Sequence, residues 1–346
     1  MTTERLISPA SRGPDEEQLS FSLRPRSLDE FVGQRDLLTR ISIAVRAARQ
    51  RGESMEHVLL HGPPGLGKTT LAHVIAAEMG ARVHVTSGPA LTRGSDLVGA
   101  LTRLEPNDVL FIDEIHRLPA AVEEFIYPAM EDCRIDVAVD SGMHARTVSI
   151  TLKPFTMIGA TTRAGMLTAP LRSRFGIAHH LRHYDPDDLL TILERSASLL
   201  EIEYEIESLL TVARRSRGTP RIANRLLRRI RDYAQVKGAG KIESHIVDEA
   251  LALEGVDHMG LDELDRSYLR VIGTTYQGGP VGLEAVAASM GEDAGAIEGV
   301  VEPYLLQIGH LARTRRGRQL TAAGAEHVGV SPASSGARID DDSLFD

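Results

Sequence analysis

Tryptophan is absent from this sequence, aromatic residues of all kinds make up only 4%, and cysteine occurs once, at Cys133. Each shortage excludes something. A lone cysteine rules out an internal disulfide and suits a reducing compartment. With so few aromatic rings, the core has to be built mostly from Leu, Ile, Val and Ala. No apolar run approaches the roughly 20 residues needed to cross a bilayer. The polar N-terminus also lacks the apolar stretch of a secretory signal, so a cytoplasmic location is expected. Positive charge is scarce as well: 39 Lys and Arg stand against 48 Asp and Glu, a net charge of −9. A global electrostatic signature for nucleic acid is therefore missing, and any such contact has to come from a local basic patch.

What is present is an ordinary mixture, 42% apolar and 25% charged, in a chain of 346 residues. That length exceeds one compact core and predicts two or three domains. Residues 1–20 and 331–346 are polar and read as mobile tails. Between them the texture changes twice. Over 21–184, short apolar runs alternate with helical patterns. Val58-Leu59-Leu60, Val83-His84-Val85, Val109–Ile112 and Met157–Gly159 read as buried strands of a parallel sheet covered by helices. Over 185–255 the periodicity is helical only, with apolar stripes at Leu189–Leu193, Leu209–Val212 and Ile222–Ile230. Over 256–330 helices at Leu261–Ile272, Leu283–Met290 and Ala294–Gln307 precede a hairpin around Gly317. Helices followed by a basic hairpin suggest a winged helix-turn-helix.

Gly62-Pro63-Pro64-Gly65-Leu66-Gly67-Lys68-Thr69-Thr70 fits the P-loop pattern, with a strand before it and an apolar helix after it. Glycines there let backbone N–H groups turn inward onto phosphate oxygens, and the helix N-terminus adds a favourable dipole. Lys68 supplies a mobile charge for the β and γ phosphates, and Thr69 a hydroxyl for Mg²⁺. The second half of such a site is Val109–Ile112 followed by Asp113 and Glu114. Asp113 is placed to hold Mg²⁺, and Glu114 to polarise an attacking water. ATP and Mg²⁺ are the expected ligands.

Three groups of arginines remain open at this point. Arg221 follows a Thr219 N-cap and Pro220 in the first turn of a helix, where a positive charge opposes the dipole. A nearby phosphate explains it, as does plain solvation on a basic helix. Arg172 and Arg174 flank Ser173 and suit either an arginine finger or a surface basic pair. Arg313, Arg315, Arg316 and Arg318 crowd the hairpin and suit phosphate-backbone contact without base stacking, or a merely soluble wing.

Together, the P-loop, Asp113-Glu114-Ile115-His116, Gly159–Gly165 and Leu171–Phe175 resemble an AAA+ ATPase. Leu23-Arg24-Pro25, Phe31-Val32-Gly33-Gln34, Gly218–Arg229 and Val300–Gln307 narrow the resemblance to the RuvB family of bacterial branch-migration motors, over about 21–330. The resemblance implies an α/β P-loop AAA+ domain, an all-α lid and a C-terminal winged helix. It implies hexameric rings that drive duplex arms of Holliday junctions in recombination, repair and the SOS response. By motif, Thr161 corresponds to sensor 1, Arg174 to the arginine finger and Arg221 to sensor 2. Leu23, Arg24, Thr70, Tyr184 and the segment Glu131, Asp132 and Cys133 fall where the family surrounds nucleotide. Arg313 and Arg318 match DNA-contacting arginines of the wing. The segment 135–152 matches a hairpin that docks on RuvA, the junction-binding partner, and RuvC is the associated resolvase. The chain departs from the family's usual residues at Arg315 (often Pro), Ser173 (often Asp), His310 (often Phe) and Gly142–Ala145, where a Pro is frequent. A clamp-loader-type ATPase shares the nucleotide site but ends in a helical collar. A nucleotide-switched DNA-binding adaptor has no use for an intact Glu114 and Arg174.

Overall fold

The computed structural model describes residues 6–8, 22–138 and 147–330. The middle of the predicted docking hairpin, with Gly142–Ala145, and the tail 331–346 lie outside them. Two compact units emerge. One holds the described residues of Pro9–Ile202 with Gly218–Asn224; the other holds those of Met1–Ser8, Glu203–Arg217 and Arg225–Asp346.

The first unit follows the predicted alternation. Its elements are α1 (Arg35–Arg51), β1 (Val58–His61), α2 (Lys68–Met79), β2 (Val83–Ser87), α3 (Gly94–Leu101), β3 (Val109–Asp113), α4 (Ala120–Asp132), β4 (Arg134–Ala138), β5 (Thr147–Thr151), β6 (Thr156–Thr161), α5 (Ala169–Ser173), β7 (Ile177–His180) and α6 (Pro186–Leu199). Five strands form a parallel sheet in the order β2-β3-β6-β1-β7. The three central strands read as continuous apolar runs because helices cover both faces. Val58, Leu60, Phe111, Ile112, Met157 and Ile158 are all fully buried. Each such side chain contributes about 1.5–3 kcal/mol of transfer free energy. The order matters for function: β3, β6 and β1 are neighbours, so the loops leaving their C-terminal ends converge on one edge. β4 and β5 pair apart from this sheet as an antiparallel ribbon, Arg134 opposite Thr151 and Ile135 opposite Ile150.

The second unit opens with β8 (Glu203–Tyr204) and α7 (Ile206–Arg215). The long helix α8 (Pro220–Lys237) starts in the first unit and continues here, followed by β9 (Lys241–Ile242) and α9 (Ser244–Leu253). The apolar stripes predicted at Leu209, Leu226, Leu227 and Ile230 are buried. Leu6–Ser8, predicted as part of a mobile tail, are seated here: Leu6 and Ile7 are buried, and the Arg225 guanidinium donates to the carbonyls of Leu6 (2.7 Å) and Ser8 (2.6 Å).

The same unit then carries α10 (Glu263–Thr274), α11 (Leu283–Met290), α12 (Ala294–Ala296), α13 (Glu302–Gln307), β10 (Leu311–Thr314), β11 (Gly317–Leu320) and α14 (Ala322–His327). Tyr268, Leu269, Ile272, Val286, Leu305 and Leu311 are among the residues that form its core. The sequence predicts one helix over Ala294–Gln307, and the structure is helical over that whole range, though not as one regular α-helix. Residues Ile297–Val301 widen into a π-helical turn between α12 and α13. Pro303 supplies the reason: it has no N–H to donate, and its ring collides with the carbonyl four residues back in a regular α-helix.

Candidate active site and nucleic-acid interface

The P-loop leaves β1 and is pinned at its start, where the Gly62 N–H donates to the Thr161 carbonyl of β6 (3.1 Å). Gly62, Gly65 and Gly67 take φ values of 136°, 80° and 97°, which side chains disfavour. At Gly62 space adds a second reason, because a Cβ would lie 2.6 Å from the Leu181 carbonyl oxygen. Lys68, the first residue of α2, is 6% exposed, and its Nζ donates to the carbonyls of Gly62 (2.8 Å) and Pro63 (2.9 Å). Burial lowers its ammonium to about 8; Asp113 and Glu114 pull the other way, and Arg221 adds to the lowering. A phosphate is the group that would restore the ammonium's charge balance.

Asp113 ends β3. Burial pushes its carboxyl up, the neighbouring Glu114 charge adds to this, and the Glu114 N–H (2.9 Å), Lys68 and Arg221 oppose it. Glu114 stands in the left-handed region at φ 47°, which turns its side chain toward the end of β6. There its carboxylate accepts from the Thr162 hydroxyl (3.0 Å) and lies 3.1 Å from His116 Nδ1. The same Nδ1 is 2.9 Å from the hydroxyl of Thr161, which is fully buried. Four side chains thus join the two strand ends in one network.

A cavity of about 390 Å³ gathers these parts. Gly65, Gly67, Lys68, Thr69 and Thr70 line it together with Asp113, Glu114 and Thr162. Leu23, Arg24, Phe31, Tyr184, Arg195, Arg221 and Asn224 also line it. Tyr184 donates its hydroxyl to the Leu66 carbonyl (3.3 Å), and the Arg221 N–H reaches the Gly65 carbonyl (3.4 Å). Arg195 of α6 donates to the carbonyls of Leu23 (3.0 Å) and Glu30 (2.7 Å), holding the wall that precedes α1. Arg195 has no motif around it, and Thr162 and Asn224, though inside the Gly159–Gly165 and Gly218–Arg229 segments, are not singled out by them, so sequence reasoning missed all three as site residues. Thr162 carried a faint signal through its place directly after Thr161.

Other expected site residues do not reach this cavity. Arg174 donates to the Pro170 carbonyl (2.7 Å), pairs with the Glu131 carboxylate (3.1 Å) and lies over the Tyr127 ring, 4.3 Å from its centroid. Glu131 and Asp132 end α4 and Cys133 follows, so this predicted nucleotide segment gathers beside Arg174 instead.

In the second unit, β10 and β11 form the expected hairpin, with Arg313 directly opposite Arg318. Arg315 and Arg316 occupy its exposed turn. Arg313 and Arg318 both donate to Glu302, a carboxylate with 0% exposure. A strand hairpin stands near the end of this unit, before α14, where a clamp-loader collar would be helical throughout.

A P-loop on β1, an Asp-Glu pair on β3, a polar strand end on β6, a helical lid and a winged helix together define an AAA+ ATPase. Comparison with known proteins narrows the class. Residues 23–181 match the model described as the Holliday junction DNA helicase RuvB P-loop domain, 184–257 the RuvB AAA lid domain, and 258–329 the RuvB C-terminal winged helix domain. A relative from Kosmotoga olearia, the Holliday junction branch migration complex subunit RuvB, is 53% identical over 328 residues, 95% of each chain. The solved Holliday junction branch migration motor RuvB of Thermotoga maritima superposes with a TM-score of 0.81 at 50% identity, covering 90% of this chain and 99% of that one. A variant of the same Thermotoga protein gives 0.82 at 50% identity, covering 89% and 99%. The chain belongs to the RuvB family of ATP-driven Holliday-junction branch-migration motors. Among the described residues no helix is long and apolar enough to cross a membrane.

Proposed function

We propose that this chain is one subunit of a homo-hexameric ring that hydrolyses Mg·ATP to move duplex arms of a Holliday junction, docked on RuvA and working alongside RuvC. The observation that carries this reading is the division of the site. Lys68, Asp113, Glu114 and Arg221 share one cavity, while Arg174 lies outside it beside Glu131. One chain therefore holds an incomplete catalytic set, and a neighbouring copy is the natural source of the missing guanidinium.

Within the cavity Lys68 and the P-loop amides bind the β and γ phosphates. Thr69 and Asp113 offer a hydroxyl and a carboxylate, hard oxygen ligands that fit Mg²⁺. When bound, the ion neutralises phosphate charge. Glu114 polarises a water and takes up its proton; the water oxygen bonds to the γ phosphorus as the bond to the β-γ bridging oxygen breaks, leaving ADP and phosphate. Thr161 and His116 keep Glu114 next to the strand that carries sensor 1. Arg221 contacts the phosphates from the helix α8, and Leu23, Arg24, Thr70 and Tyr184 close around the nucleotide. Glu131, Asp132 and Cys133, with Arg174, face the nucleotide of the adjacent subunit. Arg313, Arg315, Arg316 and Arg318 meet the DNA backbone. The ribbon of β4 and β5 is the base of the RuvA-docking segment.

ATP-dependent branch migration of a synthetic four-way junction, with and without RuvA, tests this. The wild-type chain is expected to need both ATP and RuvA, and Lys68→Ala to stop migration. Migration by Lys68→Ala would refute the motor reading.

A further inference from the structure

Glu302 is a carboxylate of the winged helix with no exposure at all, yet it pairs with arginines of the hairpin where an anion is expected. Its surroundings explain how it tolerates burial. The Tyr268 hydroxyl of α10 donates to Oε1 (2.6 Å), Arg318 Nε donates to the same oxygen (2.7 Å), and Arg313 Nη2 donates to Oε2. Burial on its own pushes this carboxyl up, and the hydrogen bonds from Arg318, Tyr268 and Arg313 overcome that and hold it below the ordinary carboxylate range. Glu298, one turn earlier and half exposed, lies 3.4 Å from both Arg313 and Arg318.

The arrangement answers a repulsion. Arg313 and Arg318 are register partners on adjacent strands, and like charges directly opposite each other destabilise a ribbon. One buried carboxylate that accepts from both converts that repulsion into a fixed pair. The π-helical turn over Ile297–Val301 leads directly into Glu302. The next residue, Pro303, is the residue that forces the widening. Tyr268, which shares Oε1 with Arg318, locks the carboxylate to the domain core.

We infer that Glu302 is a positioning residue for duplex binding: by fixing Arg313 and Arg318 in one geometry, it aims the wing's arginines at the phosphate backbone. The inference rests on the wing reading above. It carries a distinctive sign. Removing a negative charge close to a polyanion should tighten binding if charge alone matters. If aim matters more, the same change should weaken binding.

The test is the affinity of the full-length chain for labelled duplex DNA, with ATP and Mg²⁺ present, across a salt series, together with thermal unfolding. Glu302→Gln is expected to weaken binding by about tenfold and to reduce the salt slope by about one, the loss of roughly one phosphate contact. Glu298→Gln, which removes an exposed charge of the same sign, is expected to bind equally or more tightly. Equal or tighter binding by Glu302→Gln overturns the inference. If Glu302→Gln does not fold, Tyr268→Phe decides: it keeps every charge and takes one hydrogen bond from the carboxylate. Weaker duplex binding with an unchanged melting temperature then supports the inference, and unchanged binding overturns it. Arg318→Ala separates the two readings. If it binds DNA normally, the wing reading itself fails; if it binds weakly while Glu302→Gln binds tightly, only the role of Glu302 fails.

Discussion

The nucleotide cavity and the wing solve opposite electrostatic problems by different means. In the cavity the backbone does most of the work: three glycines at positive φ shape the loop, and Lys68 rests on the carbonyls of that loop. In the wing, side chains do it, with one buried carboxylate holding two arginines that would otherwise repel. A backbone-built site depends on consecutive residues and is written in the sequence as a contiguous motif. A site built from side chains draws on α10, α13, β10 and β11, and no contiguous pattern announces it. The difference also sets what each site tolerates: the cradle fails when a small residue grows, the wing when a charge disappears.

The largest effect that would break this contrast is expected at Arg174. Arg174→Ala should lower the turnover of the assembled protein by about 10³–10⁵-fold while leaving ATP binding largely intact. Turnover measured on rings mixed with Glu114-defective subunits checks whether the arginine serves a neighbour; no recovery in any mixture counts against it. Glu114→Gln comes next, with turnover down by about 10²–10⁴-fold and nucleotide affinity retained. A single-turnover assay would show it, and near-normal turnover would remove Glu114 from the role of base.

A third change sharpens the comparison on the side of stability. His310 is 7% exposed and neither ring nitrogen meets hydrogen-bond geometry; burial, helped by His327, lowers its pKa, while the nearby Asp257 charge and the Ile308 backbone pull the other way. His310→Phe removes two unsatisfied polar atoms, so it should stabilise the second unit by about 1–3 kcal/mol. Denaturant unfolding reads this directly, and a loss of stability would mean that the ring nitrogens are satisfied in solution.

The smallest expected effect is one of pH. Glu302 titrates below its unfolded value, so its contribution to stability is complete above the unfolded carboxylate range and is lost as pH falls through the folded value. The melting temperatures of wild type and Glu302→Gln should therefore converge under acid conditions. A constant gap down to low pH would show that the carboxylate is not held in its charged form.

Much of the protein is legible in the sequence alone. The four strands named from apolar runs are all present, although β2 lies at the sheet edge, only partly buried and with Val85 exposed, and Asp113 ends β3 with Glu114 directly after it. The hairpin around Gly317 is there, and α8 begins at Pro220 as its capping pattern requires. Legibility failed where the deciding partner was distant. Arg195 holds Leu23 and Glu30 from 172 and 165 residues away. Leu6–Ser8 look like tail until Arg225 is placed against them. The helix over Ala294–Gln307 has the expected bounds, but apolar periodicity does not announce its π-helical turn, which Pro303 decides locally through its missing N–H and bulky ring.

The sequence by itself determined the class of chemistry, because phosphate binding requires consecutive small residues, a lysine and a helix start, and those leave a contiguous record. It also determined the layering, since strands buried on both faces must be apolar throughout. Only the tertiary structure decided which charged residues meet. It placed Arg174 with Glu131 instead of in the cavity, linked Thr161 to Glu114 through His116, and set Glu302 beneath the wing. Charge pairing acts through space over a few ångströms and carries no fixed spacing along the chain, so it becomes readable only once the fold has brought the partners together.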